Sequence, residues 1–321
     1  MIKKFNRFLE ESSNQSPLSG EAVSLLNVWC GKEGFDWKVN KETGLVDLYS
    51  DFRLPGHFSD FLGIKFGKCE QNFHCSNSDI TSLEGCPEEV LGDFSCSHTK
   101  ITKLVGGPKK VFGNYYCKNT RITNLIGSPE EISESFSCSD NENLTSLLGG
   151  PKKVSDDFYC KNTEITSLEG CPEEIGKYFN VSFNKSIKSL QGGPKKVGLG
   201  YYCHGCSLEN LAGSPEEVLE DFFCCDNNLS NLEGAPRKVG SDFDCESNEL
   251  TSFKGMPEKI GGIFLYKGNP ISEIIARSEE FRKLDTKDKK RTLYFLLSAK
   301  DNPTTEDVDT ISRYLIRLDM V

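Results

Sequence analysis

The sequence predicts a β-rich repeat solenoid of the α/β type: a parallel β-sheet horseshoe between an N-terminal cap and a helical C-terminal cap. Three observations predict it. An aromatic residue recurs at Phe73, Phe94, Tyr115, Phe136, Phe158, Phe179, Tyr201, Phe222 and Phe243, always 21 or 22 residues apart, with a degenerate tenth unit at Phe264. A Gly-x-Pro step recurs at the same period, and a pair of charged residues follows each proline. Repeats of this length mark units that cannot bury their apolar face alone and stack to share one core. The solenoid is read over residues 73–270, with caps at 1–72 and 271–321.

Each position of a unit has a physical role, as in the stretch from Phe158 to Ile175. Phe158 and Cys160 are two apart, so in a strand both face inward. Ile165, Leu168 and Ile175 supply the remaining buried positions of the coil. Gly170 and Pro172 break regular structure and turn the chain. Three residues after the second inward position stands a small polar residue: Ser78, Thr99, Thr120, Asn141, Thr163, Asn184, Asn227 or Asn248. Its side chain can hydrogen-bond the backbone of the turn that leaves the strand.

The half-unit Phe158-x-Cys160-x-x-Thr163-x-Ile165 resembles the bacterial-type leucine-rich repeat, so the expected fold is leucine-rich-repeat-like. The other half departs from that pattern, because Ile175 lies four residues before Phe179 where three is usual. The phrases from Thr81 to Val90 and from Gly92 to Cys96 resemble leucine-rich-repeat proteins of large tailed bacteriophages. Phe35 to Asn40, Gly44 to Leu48 and Gly268 to Ile271 are similar to cap regions of that family. The resemblance implies a phage-encoded binding protein that blocks or redirects a host bacterial protein, such as a defence factor. A structural or assembly role in the virion is the alternative. Secreted repeat effectors of enteric pathogens join similar repeats to a large ubiquitin-ligase domain, and the segment after Pro270 is too short to hold one.

In the N-terminal cap, Ile2, Phe5, Phe8 and Leu9 suggest an amphipathic helix, and Trp37 to Phe52 alternates as strands do. In the C-terminal cap, Ile271, Ile274 and Ile275 mark one helix and Leu293 to Leu297 a second. Val308, Ile311, Leu315 and Leu318 mark a third, opened by Thr304 or Thr305. The paired charges alternate in sign: Glu88-Glu89, Lys109-Lys110, Glu130-Glu131, Lys152-Lys153, Glu173-Glu174, Lys195-Lys196, Glu216-Glu217, Arg237-Lys238, with a mixed Glu258-Lys259 at the end. Stacked about 5 Å apart, they form a ladder of opposite neighbours, and a slip of one coil would bring like charges together.

A net charge of −10 argues against a nucleic-acid partner, since a phosphate-binding groove needs clustered Lys and Arg. No apolar run is long enough to span a bilayer, and Met1 to Glu11 does not read as a signal peptide. A cytoplasmic protein without a membrane partner is therefore expected, and the resemblance to phage proteins implies that the cytosol is that of the bacterial host. Of the fourteen cysteines, Cys75, Cys96, Cys117, Cys138, Cys160, Cys203, Cys224 and Cys245 share one inward strand position. There they behave as small apolar side chains rather than disulfide partners. The best zinc set, Cys203, His204, Cys206, Cys224 and Cys225, does not converge, because Cys203 and Cys224 belong to the inward row. The four histidines are scattered, and no Cys–His or Ser–His pair is suggested. No enzyme, cofactor or metal is expected.

A partner protein is expected on the concave face, where outward strand positions form rows. The candidate contact residues are Tyr116, Lys118, Tyr159, Lys161, Tyr178, Tyr202, His204, Phe223, Asp242 and Asp244. Aromatic side chains flanked by charge resemble interface anchors.

Overall fold

The computed structural model describes residue 18 and residues 20–30 and 37–317. The helix expected at Ile2, Phe5, Phe8 and Leu9 lies outside these residues, as do Phe35, Asp36 and Leu318. The chain divides into two compact units, Met1–Asp157 and Phe158–Val321. Both are built from the same coil, and the fold class is the expected leucine-rich-repeat-like parallel β solenoid with helices at its C-terminal end.

Every coil contributes two short strands. In the first unit, Phe52–Arg53, Phe73–His74, Phe94–Ser95, Tyr115–Tyr116 and Phe136–Ser137 pair in parallel in that order. A second sheet runs through Phe66–Cys69, Glu89–Val90, Lys110–Val111, Glu131–Ile132 and Lys153–Val154. It begins with the antiparallel pair Trp37–Val39 and Val46–Leu48. The helix α1, Gly20–Trp29, precedes them and buries Trp29 edge-on against Phe52 at 5.7 Å. The aromatic row thus starts at Phe52, one coil earlier than the Gly-x-Pro pattern shows.

In the second unit the aromatic strands are Phe158–Tyr159, Phe179–Asn180, Tyr201–Tyr202, Phe222–Phe223, Phe243–Asp244 and Phe264–Leu265. The companion sheet holds Glu174–Ile175, Lys196–Val197, Glu217–Val218, Lys238–Val239 and Lys259–Ile260. Leading aromatics from Phe52 to Phe243 are fully buried, and within each unit they pack ring against ring, as Phe222 does on Phe243 at 5.6 Å and 8°. The cysteine row is equally buried and none of its thiols is in a disulfide. The Cys245 thiol donates to the Leu265 carbonyl at 3.3 Å. Burial pushes the thiols of Cys96, Cys203, Cys224 and Cys245 well above their usual range, because a thiolate loses its hydration there.

Ser78 and Thr99 only close their own turns, but in other coils the residue at this position does more. Asn184 Nδ2 donates to Val181 O in its own coil at 2.6 Å and to Cys160 O one coil back at 2.8 Å. Its Oδ1 accepts from the Thr163 amide at 2.8 Å and hydroxyl at 2.6 Å. Asn141, Asn227, Asn248 and Asn269 repeat the two-carbonyl bond. Cys206 takes this position in the Tyr201 coil and sends its thiol to Val181 O at 3.3 Å. The repeat pattern alone does not show this use of Cys206.

The charge ladder stands on the companion sheet. Lys109 meets Glu88 at 2.8 Å and Lys152 meets Glu130 at 3.0 Å in the first unit. In the second, Lys195 meets Glu173 at 3.3 Å, Lys196 meets Glu174 at 2.7 Å, Arg237 meets Glu216 at 3.5 Å and Lys238 meets Glu217 at 2.6 Å. All are exposed, so solvent and salt screen each pair strongly.

The C-terminal end is closed by α2 (Pro270–Arg277), α3 (Glu279–Arg282), α4 (Lys287–Ser298) and α5 (Thr305–Arg317). The apolar spacing does not predict the four-residue α3. Thr304 opens α5: its Oγ1 accepts from the Asp307 amide at 3.2 Å, while Asp307 Oδ2 accepts from the Thr304 amide at 2.8 Å. Lys300 and Thr304 hold the Asp307 carboxyl down to about 2. Tyr294 of α4 covers the last coil, packing against Phe264 at 5.3 Å and sharing a hydrogen bond with Tyr266 at 3.1 Å. Among the described residues, no helix is long and apolar enough to cross a membrane.

The ladder and the buried tyrosine row can each be tested by substitution. Lys195→Glu with Lys196→Glu sets three acidic pairs in a row on the second unit. The melting temperature is expected to fall by a few degrees at low salt and less at high salt, because exposed charges are screened over about 8–10 Å at physiological ionic strength. A salt-independent fall would show that charge stacking is not the cause. Tyr201 has its hydroxyl buried without a hydrogen-bond partner, in the space left by Gly193, where a Cβ would lie 3.3 Å from it. An unpaired buried hydroxyl costs about 1–3 kcal/mol. Tyr201→Phe should therefore raise the melting temperature, and a lowered one in thermal denaturation would refute this account.

Candidate binding face

The outward face of the aromatic sheet follows from period-two alternation. In Phe222-Phe223-Cys224-Cys225 the first and third residues are buried and the second and fourth half-exposed. All ten candidate residues fall on this sheet or at its edges. Lys161 is exposed and the other nine are half-buried. Several of these aromatics lie partly across their neighbours.

In the first unit, Tyr116 stands in register with Ser95 and Ser137. These serines are buried although they face outward, with Ser137 at 0% exposure, because large neighbours overhang short side chains. Lys118 places its ammonium 5.5 Å from the centre of the Tyr116 ring, a cation–π contact. Burial raises the Tyr116 phenol pKa, helped by Asp93, Glu134 and Asp157.

The second unit assembles a larger aromatic group. Tyr178 and Tyr202 stack at 6.0 Å, and Tyr202 meets Phe223 edge-on at 5.3 Å. Tyr178 reaches across the intervening coil and donates its hydroxyl to Glu220 at 2.8 Å. Gly200 makes this possible: a Cβ there would lie 2.9 Å from the Tyr202 hydroxyl and 3.2 Å from the Tyr178 ring. Burial, then Asp221, pushes the Tyr202 phenol up to about 12. Tyr159 is in register with Asn180, and Asn180 with Tyr202, so an amide separates Tyr159 from this group along the row.

The two acidic candidates differ. Asp242 Oδ1 accepts from the Ile263 amide at 2.6 Å, just as Asp221 Oδ1 accepts from the Asp242 amide at 3.0 Å. Residues preceding the leading aromatic thus form a backbone ladder of their own, which Asn72, Asp93 and Asn114 repeat in the first unit. Asp244 sits in register beside Phe223. Burial and then the Asp244 carboxylate push the Cys225 thiol up to about 12.

His204 corrects one expectation. The sequence suggests no Ser–His pair, yet the structure sets Ser182 Oγ 3.0 Å from His204 Nδ1, because both occupy the same outward row on neighbouring coils. Ser182 is 0% exposed, so its hydroxyl is closed to a substrate. Burial also lowers the His204 pKa, which makes the ring a weaker base. The pair is a packing contact. Among the described residues, no group of three His, Cys, Asp or Glu is placed to hold a metal. Cys203 and Cys224 point into the core while His204 and Cys225 lie outside it.

Sequence reasoning misses Phe183. It is 50% exposed, its ring meets His204 edge-on at 5.0 Å, and its backbone is left-handed with φ of 64°. Most other coils use Asn, Asp, His or Gly at this position, residues that tolerate the conformation. An aromatic there stands out once the repeats are aligned, which is the signal that could have found it.

No protein-family model matches the sequence, and no curated protein matches it. Among solved structures, YopM from Yersinia enterocolitica WA-314 is similar at 14% identity and a TM-score of 0.29, over 84% of this chain and 73% of that one.

Truncation separates the two faces of one strand. Phe222→Ala empties a fully buried site and should cost about 3–5 kcal/mol. Phe223→Ala removes a half-buried ring and should cost about 1 kcal/mol, near the ordinary mutational mean. Chemical denaturation measures both; equal losses would mean that the outward face belongs to the core.

Proposed function

We propose that the chain is a non-enzymatic scaffold that binds another protein through the outward face of its aromatic sheet. The carrying observation is the group formed by Tyr178, Tyr202 and Phe223 on the solvent-facing side of the sheet. Coil stacking is already provided by the inward rings, the backbone bonds and the turn ladder, so this second set of rings is not needed to hold the coils. Large rigid aromatics that remain half-exposed are the side chains from which interface hot spots are made.

The partner we propose is a host bacterial protein, such as a defence factor, met by a phage-encoded chain in the host cytosol. The support for this origin is the likeness of Thr81 to Val90 and Gly92 to Cys96 to phage leucine-rich-repeat proteins. The test is affinity capture from bacterial lysate with the wild-type chain and the Tyr202→Ala/Phe223→Ala variant, read by mass spectrometry. A host protein retained by the wild type and lost by the folded variant, with affinity at least about tenfold lower for the purified pair, is the expected result. Retention by both would move the site off this face, and capture of virion components would point to assembly instead.

A further inference from the structure

The two sheets of the second unit treat their carboxylates differently. On the companion sheet, Glu173, Glu174, Glu216 and Glu217 each meet a Lys or Arg. On the aromatic sheet, Asp221, Asp244 and Glu246, with Glu220 and Asp226 at its margins, form no ion pair among the described residues. Their known partners are uncharged: backbone amides for Asp221 and Asp244 and the Tyr178 hydroxyl for Glu220. The sign alternation of one sheet is not repeated on the other, where Lys267, two residues past the register partner of Asp244, is the cation on the strand beside Glu246 and makes no ion pair with it.

That charge is local to the aromatic group. Tyr202, Phe223 and Asp244 are register neighbours on three adjacent strands, about 4.8 Å apart from strand to strand. The field is felt there: Asp221 and Glu220 add to the burial that raises the Tyr202 phenol, and Asp244 and Asp226 add to the burial that raises the Cys225 thiol.

We propose that this patch docks an arginine-bearing segment of the protein partner, with a guanidinium seated over the Tyr202 and Phe223 rings and facing Asp244 and Glu246. The proposal rests on the binding-face reading and adds the chemistry of the occupant. Arginine fits because its planar cation stacks on aromatic faces, is weakly hydrated and presents several N–H donors to carboxylates. Phosphate-bearing partners are repelled by the same field.

The probe is a fluorescein-labelled, end-capped hexapeptide of alternating Arg and Gly, compared with the same peptide carrying neutral citrulline for arginine. Fluorescence anisotropy with the full chain at low ionic strength should show at least about tenfold preference for the arginine peptide, lost as salt rises. Asp244→Asn with Glu246→Gln removes two charges, while the amide side chain introduced by the first substitution keeps an oxygen to accept from the backbone N–H two residues on. The preference should then fall roughly tenfold. Glu173→Gln with Glu174→Gln removes the same charge from the paired sheet and should leave the preference intact. Equal effects of the two double variants, or no preference for arginine over citrulline, would overturn the proposal. A captured partner that is lost on Tyr202→Ala/Phe223→Ala yet held by Asp244→Asn/Glu246→Gln keeps the binding face and removes the arginine.

Discussion

Each coil has to turn through an apolar interior, and its backbone polar groups cannot meet water there. The residue three positions after the second inward strand position resolves this constraint. Asn184 bonds the carbonyl of its own turn and the carbonyl one coil back, while its own oxygen takes the amide of Thr163. An unmatched buried carbonyl or amide costs about 1–3 kcal/mol, so these bonds make the turn and the stacking of coils one event. The aromatic stack and the cysteine row fill the volume that the turns enclose. Cys206 shows that a thiol can serve where no amide is present.

With stacking secured inside, the outside of each sheet is open to other uses, and the two sheets differ. The companion sheet pairs its charges coil by coil, which disfavours slippage. The aromatic sheet of the second unit sets Asp221, Asp244 and Glu246 beside its rings with no ion pair to them among the described residues. Its strain points the same way: Phe183 keeps a left-handed backbone and half its surface exposed, a conformation that costs on the order of 1–3 kcal/mol for a residue of this kind. Strain and half-exposed rings coincide on the face that we propose for partner contact.

Much of this was legible because the repeat places residue i beside its equivalent 21 or 22 positions on. Period, inward rows, turn residues and the alternating charge pairs all follow from that one adjacency, as does the inertness of the cysteines. The coil at Phe52 is hidden because Leu54 replaces the cysteine and no Gly-x-Pro step precedes it. Cys206 is hidden because the turn position is otherwise a hydroxyl or an amide.

Strand alternation and the repeat period depend only on local backbone geometry, so the order of residues is enough to say which side chains face in and which face out. What the outward side chains do to one another is settled only by packing between coils. Tyr178 reaches Glu220 over a residue that is glycine in that one coil, and Ser182 meets His204. Asp242 turns its carboxylate to the backbone of the next coil, whereas Asp244 turns its own to the Glu246 amide of the same strand. Such contacts depend on rotamers chosen among neighbours from different coils, and on how much of each ring its neighbours cover. A one-dimensional pattern carries neither.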